Sequence, residues 1–185
     1  GELGWEIFVD TSFAAYLFEL LMSGDNAEIP TLIGFHAGES LRTEKAYRHW
    51  GHDIGYTDTP LESGLLFASK LDKPGGFIGL EELQKRLTES NQRYLVQFLL
   101  SNNEKFLYHN EPIYLDDVIV GSITTGTYGH TFDAPIGLGW VELPKEMEAD
   151  SIEKQRFEIL VAGEKIPARA SMRPMYDCKN NKLRS

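Results

Sequence analysis

The stretch VIVGSITTGTYGHTFDAPIGLGWVEL (118–143) decides the fold class. VIVGSITTGTY and IGLGWVEL are strand-like, rich in β-branched and aromatic bulk, and a Gly-containing turn around His130 separates them. Working outward, RYLVQFLL (93–100), EPIYLDD (111–117), RFEILVAG (156–163) and EKIPARASM (164–172) repeat the pattern. Asp116-Asp117 and Gly163-Glu164 are the expected hairpin turns, although neither is an Asn-Gly or Asp-Gly pair. Short strands at close spacing predict a small barrel or sandwich. Upstream the texture differs, so a boundary is expected near residue 90, dividing the chain into 1–90 and 91–185.

The first part mixes elements. WEIFVD (5–10) alternates as a half-buried strand does. Asp10, Thr11 and Ser12 offer caps for a helix over FAAYLFELLMSG (13–24), ended by Gly24. TLIGFH (31–36) leaves strand and helix start both open. ESLRTEKAYRHWG (39–51) predicts a helix stopped at Gly51, 52–60 a loop, GLLFASKL (64–71) a buried strand, and LEELQKRLTES (80–90) an amphipathic helix. The class is therefore α+β.

Composition narrows the function. Of 185 residues, 42% are hydrophobic, which is enough for a core. Lys and Arg number 18 against 28 Asp and Glu, a net charge of −10. An acidic chain lacks the basic stripe that a phosphate backbone requires, so no nucleic-acid partner is expected. No apolar run reaches the roughly 18 residues of a membrane span, and no signal pattern opens the chain. It starts on a strand-like segment, as if cut inside a domain. Cys178 is the single cysteine, which excludes an internal disulfide and fits a reducing compartment.

The chemistry-bearing residues give mostly structural readings. His49 and His52 lie three apart beside Asp53, but a metal needs three or four converging ligands, so no metal is expected. His130 suits a pocket lining and a structural turn equally. GSITTG (121–126) lacks the Gly-Lys-Ser/Thr ending of a phosphate loop. Ser122 and Thr124 could act as nucleophiles only beside a base, and the sequence shows none. Glu6, next to large aromatics, could accept two N–H bonds from a ligand's amidine-like edge or simply face solvent.

GELGWEIF, SLRTEKAYRHWGHDI, TPLESGLLFASKLDK, GFIGLEEL and GSITTGTYGHTFDAPIGLGWV occur in a fixed order across nearly the whole chain. Together they resemble the C-terminal half of the glycine-cleavage T-protein (aminomethyltransferase) superfamily. WGHDI, YGHT and IGLGWV are most similar to the folate-binding portion of dimethylglycine and sarcosine dehydrogenases and oxidases. The resemblance implies the C-terminal part of a T-protein-like folate-binding domain, 1–90, followed by a small antiparallel β-barrel, 91–185.

It also implies tetrahydrofolate as cofactor. The family's Tyr-x-Gly-Glu-x-Gly-x-Glu segment carries a Glu that grips the pteridine, and GELGWE matches its end, which puts that role on Glu6. Tyr128 and His130 are expected to line the same pocket. In AGESLR (37–42), Gly38 stands where T-proteins carry the first Arg of Ala-Arg-Asp-Ser-Leu-Arg, while Arg42 matches the second. That departure favours the dehydrogenase-like branch. The family's key Asp belongs to an N-terminal half, and any FAD to a further upstream domain, neither of which this sequence contains. ESLRTEKAYRHWGHDI is then scaffold for the folate lobe.

The implied partners are folate and, in a longer protein, a small N-methyl amine, with self-association through exposed apolar surface. The implied location is the cytoplasm, or the mitochondrial matrix in a eukaryote. A T-protein proper and a non-catalytic regulatory module of the same fold are the rival readings.

Overall fold

The strand-like segments after residue 90 each form a strand in the computed structural model, which describes residues 4–25, 29–89, 92–144, 147, 149–182 and 184. They are β1 (Arg93–Leu100), β2 (Pro112–Leu115), β3 (Val118–Gly129), β4 (Ala134–Glu142), β5 (Phe157–Val161) and β6 (Glu164–Ser171). Every pairing is antiparallel, and the order β1-β4-β3-β2-β5-β6 closes on itself as a barrel. Closure leaves no unpaired edge, which is how a sheet of short strands protects its backbone groups. The barrel is filled by Val96, Phe98, Ile113, Ile123, Val141, Phe157 and Ile159. The rings of Phe98 and Phe157 meet edge to face, 5.4 Å between centroids.

The hairpins carry the chirality that short turns need. Leu115 pairs with Val118, so Asp116 and Asp117 form a two-residue loop with φ +48° and +66°. Val161 pairs with Glu164, so the second loop is Ala162-Gly163 rather than Gly163-Glu164.

The chain clusters into two units, Gly1–Gly38 and Glu39–Ser185. In the first, WEIFVD is not a strand. Residues 4–10 form no regular element and are exposed, because among the described residues no strand pairs with them. A 3₁₀ turn (Thr11–Phe13) then leads into α1 (Ala14–Leu21). Asp10 caps the turn as expected, accepting the Ser12 N–H at 2.9 Å. No residue of α1 is buried.

Helix α2 (Phe35–Glu44) starts within TLIGFH and stops well before Gly51. Its end is set by paired backbone bonds, Ala46 N–H to Thr43 O at 2.9 Å and Tyr47 N–H to Arg42 O at 3.1 Å, with Ala46 at φ +51°. This is a Schellman cap with alanine in the position that normally takes glycine, so the sequence carries no stop signal there.

GLLFASKL is not a buried strand either. Thr59 and Glu62 form a capping box: Thr59 N–H donates to the Glu62 carboxylate at 2.9 Å, and Glu62 N–H to Thr59 Oγ1 at 3.2 Å. The helical turn so started ends at Gly64, φ +66°, and a 3₁₀ turn (Leu66–Ala68) follows with Phe67 85% exposed. Helix α3 (Leu80–Thr88) forms where predicted, with Leu83 buried and Glu81, Glu82, Lys85 and Arg86 placed to complement its dipole.

Candidate functional site

A bulge in β3 builds the polar centre of the second unit. Ile123 pairs with Gly139 and Thr125 with Leu138, leaving Thr124 as the extra residue. Neighbouring strand residues ordinarily point to opposite faces; the bulge re-aims them. Both hydroxyls therefore donate to Asp53 Oδ1, Thr124 at 2.6 Å and Thr125 at 2.7 Å. Asp53 Oδ2 accepts the His49 N–H at 2.8 Å and Arg42 Nη1 at 2.7 Å. The Asp53 side chain is fully buried. Burial works to raise its pKa, but the Thr124, Thr125 and His49 bonds and the Arg42 charge hold it below the ordinary value.

Arg42 also bonds Glu39, Tyr47 O and Thr125 Oγ1. Its hydrogen bond lowers the pKa of Glu39. Thr124 thus does lie beside a carboxylate. That carboxylate is saturated with donors and held anionic by an arginine, which makes it a poor base, so Thr124 is no nucleophile.

The same helix face clamps the β3–β4 hairpin tip. Gly129 pairs with Ala134, leaving His130–Asp133 as the loop. Ser40 Oγ donates to Tyr128 O at 2.6 Å. Glu44, 3% exposed, accepts from Thr131 N at 2.8 Å and from Thr131 Oγ1 at 2.5 Å. Gln97 on β1 donates to Thr43 O at 2.7 Å, fixing the end of the helix to the barrel. On this held tip the Tyr128 and His130 rings meet edge to face at 5.3 Å, and Tyr128 Oη donates to Asp133 Oδ1 at 2.6 Å. His130 is exposed and Tyr128 half-buried. The tip is a rigid mount for polar side chains, the construction that ligand-orienting groups require.

Beside Asp53 a cleft of about 420 Å³ opens between Trp50, Tyr56, Asp58 and Trp140. The Trp140 indole N–H donates to Asp53 O at 2.8 Å. The Arg93 guanidinium lies 3.7 Å over the Trp140 ring and bonds Asp58 at 2.5 Å. His49 and His52 stack with ring centroids 5.8 Å apart. Among the described residues no group of three or more His, Cys, Asp or Glu is placed to hold a metal ion.

Of the expected ligand residues, Tyr128 and His130 come together on the hairpin tip. Glu6 belongs to the other unit. It is exposed, between Trp5 and Phe8, each 92% exposed. Gly38 is not required by packing: an added Cβ meets nothing nearer than Ile33 Cδ1, at 4.0 Å. Residue-level reading missed the Asp53–Arg42 centre and the Glu44–Thr131 lock. Asp53 was visible only as a neighbour of histidines, and nothing local marks the bulge that joins Thr124 and Thr125 to it.

The comparisons agree with this architecture. Residues 93–177 match the glycine cleavage T-protein C-terminal barrel domain and residues 1–73 the GCVT N-terminal domain. The chain belongs to the glycine-cleavage T-protein superfamily. It is 36% identical over 184 residues to a 4-methylaminobutanoate oxidase (formaldehyde-forming) of Paenarthrobacter nicotinovorans, covering 100% of this chain and 22% of that protein. It is 33% identical over 175 residues to the mitochondrial dimethylglycine dehydrogenase of Mus musculus, covering 95% of this chain and 20% of that one. The chain thus spans about a fifth of the length of these relatives. The crystal structure of glycine cleavage system aminomethyltransferase T from Bartonella henselae superposes with a TM-score of 0.75 at 22% identity, over 90% of this chain and 45% of that one, so the fold is shared. Among the described residues no helix is long and apolar enough to cross a membrane.

Proposed function

We propose that this chain is part of a tetrahydrofolate-binding, one-carbon-transferring unit in a dimethylglycine- or sarcosine-dehydrogenase-like protein. The observation that carries the reading is the match, over the whole chain, to an oxidase of an N-methyl amine within a superfamily that includes aminomethyltransferases. In this reading, an N-methyl amine is oxidised elsewhere in the protein, and any FAD belongs to that other part.

In this reading Glu6, Tyr128 and His130 are the chain's contacts to the cofactor. Glu6 is an exposed carboxylate flanked by exposed rings, suited to accept two N–H bonds from an aminopyrimidine edge. Tyr128 and His130 supply an aromatic and polar wall on a held hairpin. When bound, tetrahydrofolate supplies the nitrogen nucleophile that captures the one-carbon unit. The work of the chain is then positioning and exclusion of water, not acid–base chemistry. The division into a lobe, 1–90, and a barrel, 91–185, is part of the proposal. The matched ranges 1–73 and 93–177 support it, while residues 39–90 pack within the barrel's unit.

Trp5 adjoins Glu6 and reports on it. In a longer polypeptide that also carries the N-terminal part of the T-protein fold, tetrahydrofolate is expected to change tryptophan fluorescence saturably. Glu6→Ala is expected to weaken that binding by about tenfold or more, the cost of a lost charge-assisted pair. Equal affinity of the two proteins would remove Glu6 from the site.

A further inference from the structure

After β6 the chain runs on without regular structure, and no residue of 173–182 is buried. A segment that buries so little apolar surface is attached chiefly by polar bonds. Those bonds converge on the end of α2. Lys45 Nζ donates to Asp177 O at 2.8 Å and to Asn180 Oδ1 at 2.7 Å, with the Asp177 carboxylate at 3.4 Å. The rings of Tyr176 and Tyr47 lie 5.9 and 6.0 Å from the same ammonium, within cation–π range. The Asp177 carboxylate also accepts the Asn181 N–H at 2.8 Å, which closes the turn that presents these oxygens. Gln97 on β1 makes the second attachment and is 1% exposed. Its Nε2 donates to the carbonyls of Thr43, at 2.7 Å, and Glu44, at 3.2 Å, in the last turn of α2. Its Oε1 accepts the Met175 N–H at 2.7 Å, so one buried amide joins the helix end to the tail.

Without the tail, Gln97 Oε1 would lose its donor in a buried place and Lys45 would lose its oxygens. Losses of that kind are costly unless the groups move, and the group they hold is the end of α2. Glu44, in the same turn, grips Thr131 on the β3–β4 hairpin through its backbone N–H and its hydroxyl. We propose that residues 173–182 are a latch: docked, they hold the end of α2 on the barrel and, through Glu44, the hairpin tip His130–Asp133; released, they free both. The latch is a property of this chain and stands whether or not a ligand meets the hairpin.

Cys178 is the single cysteine and is exposed on this tail, so a nitroxide attached there reports its motion in the full chain. Lys45→Met keeps the aliphatic stem and removes the ammonium; Asn180→Ala removes one of its oxygens and is the milder change. The label should be held in the unsubstituted chain, and its spectrum should sharpen in Lys45→Met and, to a smaller extent, in Asn180→Ala. Amide hydrogen exchange then reads the far end of the device. At Thr131, and at Ala46 and Tyr47 in the cap of α2, exchange should speed up about tenfold in Lys45→Met, the scale of one lost hydrogen bond to a charged group. The amides of β5 should keep their rates. Should Lys45→Met fail to fold, the same readings are taken on Asn180→Ala. A label that tumbles freely in the unsubstituted chain, or stays held in both variants, would overturn the latch. A released label with unchanged exchange at Thr131 would overturn its hold on the hairpin. Exchange that rises equally in β5 and at Thr131 would also overturn it, because that is a loss of global stability and not a local release.

Discussion

Asp53 is the residue on which the second unit depends. It joins the end of α2, the loop after it and the bulged strand through bonds to Arg42, His49, Thr124 and Thr125. Removing this buried carboxylate leaves the Thr124 and Thr125 hydroxyls and the His49 N–H without their acceptor, while Arg42 keeps Glu39; breaking a buried charged network of this kind costs about 3–5 kcal/mol. Asp53→Ala is therefore expected to lower the unfolding free energy by roughly that amount in a denaturant titration; a loss within the range of ordinary surface substitutions would contradict its role. The folded pKa values of Asp53 and Glu39 lie below their unfolded ones. Their stabilisation is thus complete above the unfolded carboxylate range and is lost as pH falls through the folded values. Stability should be level near neutrality and decline below about pH 5, and Asp53→Ala should flatten that decline. The sequence displays the acid next to two histidines, which suggests a ligand set. Only the three-dimensional register, in which one extra residue turns two threonines towards it, shows a structural hub.

At the scale of elements, the β-part is legible because β-branched and aromatic density and turn residues agree from β1 to β6. The first part was less legible. A strand over 5–10 was expected from local alternation, but alternation only matters when a neighbour pairs with it. Helix α2 is stopped by a left-handed cap at Ala46, a residue that carries no stop signal. The Thr59–Glu62 capping box was readable in principle, yet the apolar run behind it resembled a strand. Glycine has a plainer role in the barrel. At Gly126 an added Cβ would fall on the backbone of Leu107 and Tyr108, at 2.5 Å from Tyr108 N, where nothing flexible can yield. Gly126→Ala should therefore cost at least about 1–3 kcal/mol, as overpacking does. A thermal melt would show the shift, and an unchanged melting temperature would mean that the loop bearing Leu107 is not seated on β3.

For the whole molecule, the family was legible from motifs in register, whereas physical reading of composition reached only an acidic α+β chain. The resemblance named Glu6, Tyr128 and His130; it did not reveal that α2 holds the hairpin bearing two of them. In the first unit, the exposure of Trp5, Phe8, Phe13 and Phe18 leaves Glu6 on a segment without a built wall of its own. Ordering such a segment around a ligand costs about 1–2 kcal/mol per residue fixed. The most direct test of the central claim is isothermal titration calorimetry with tetrahydrofolate, on this chain and on the longer polypeptide carrying the N-terminal part of the T-protein fold. The account predicts weak or undetectable binding to the chain alone and saturable one-site binding to the longer polypeptide. No binding to the longer polypeptide would contradict the folate assignment. Micromolar binding to the chain alone would contradict the claim that the site needs more than these 185 residues.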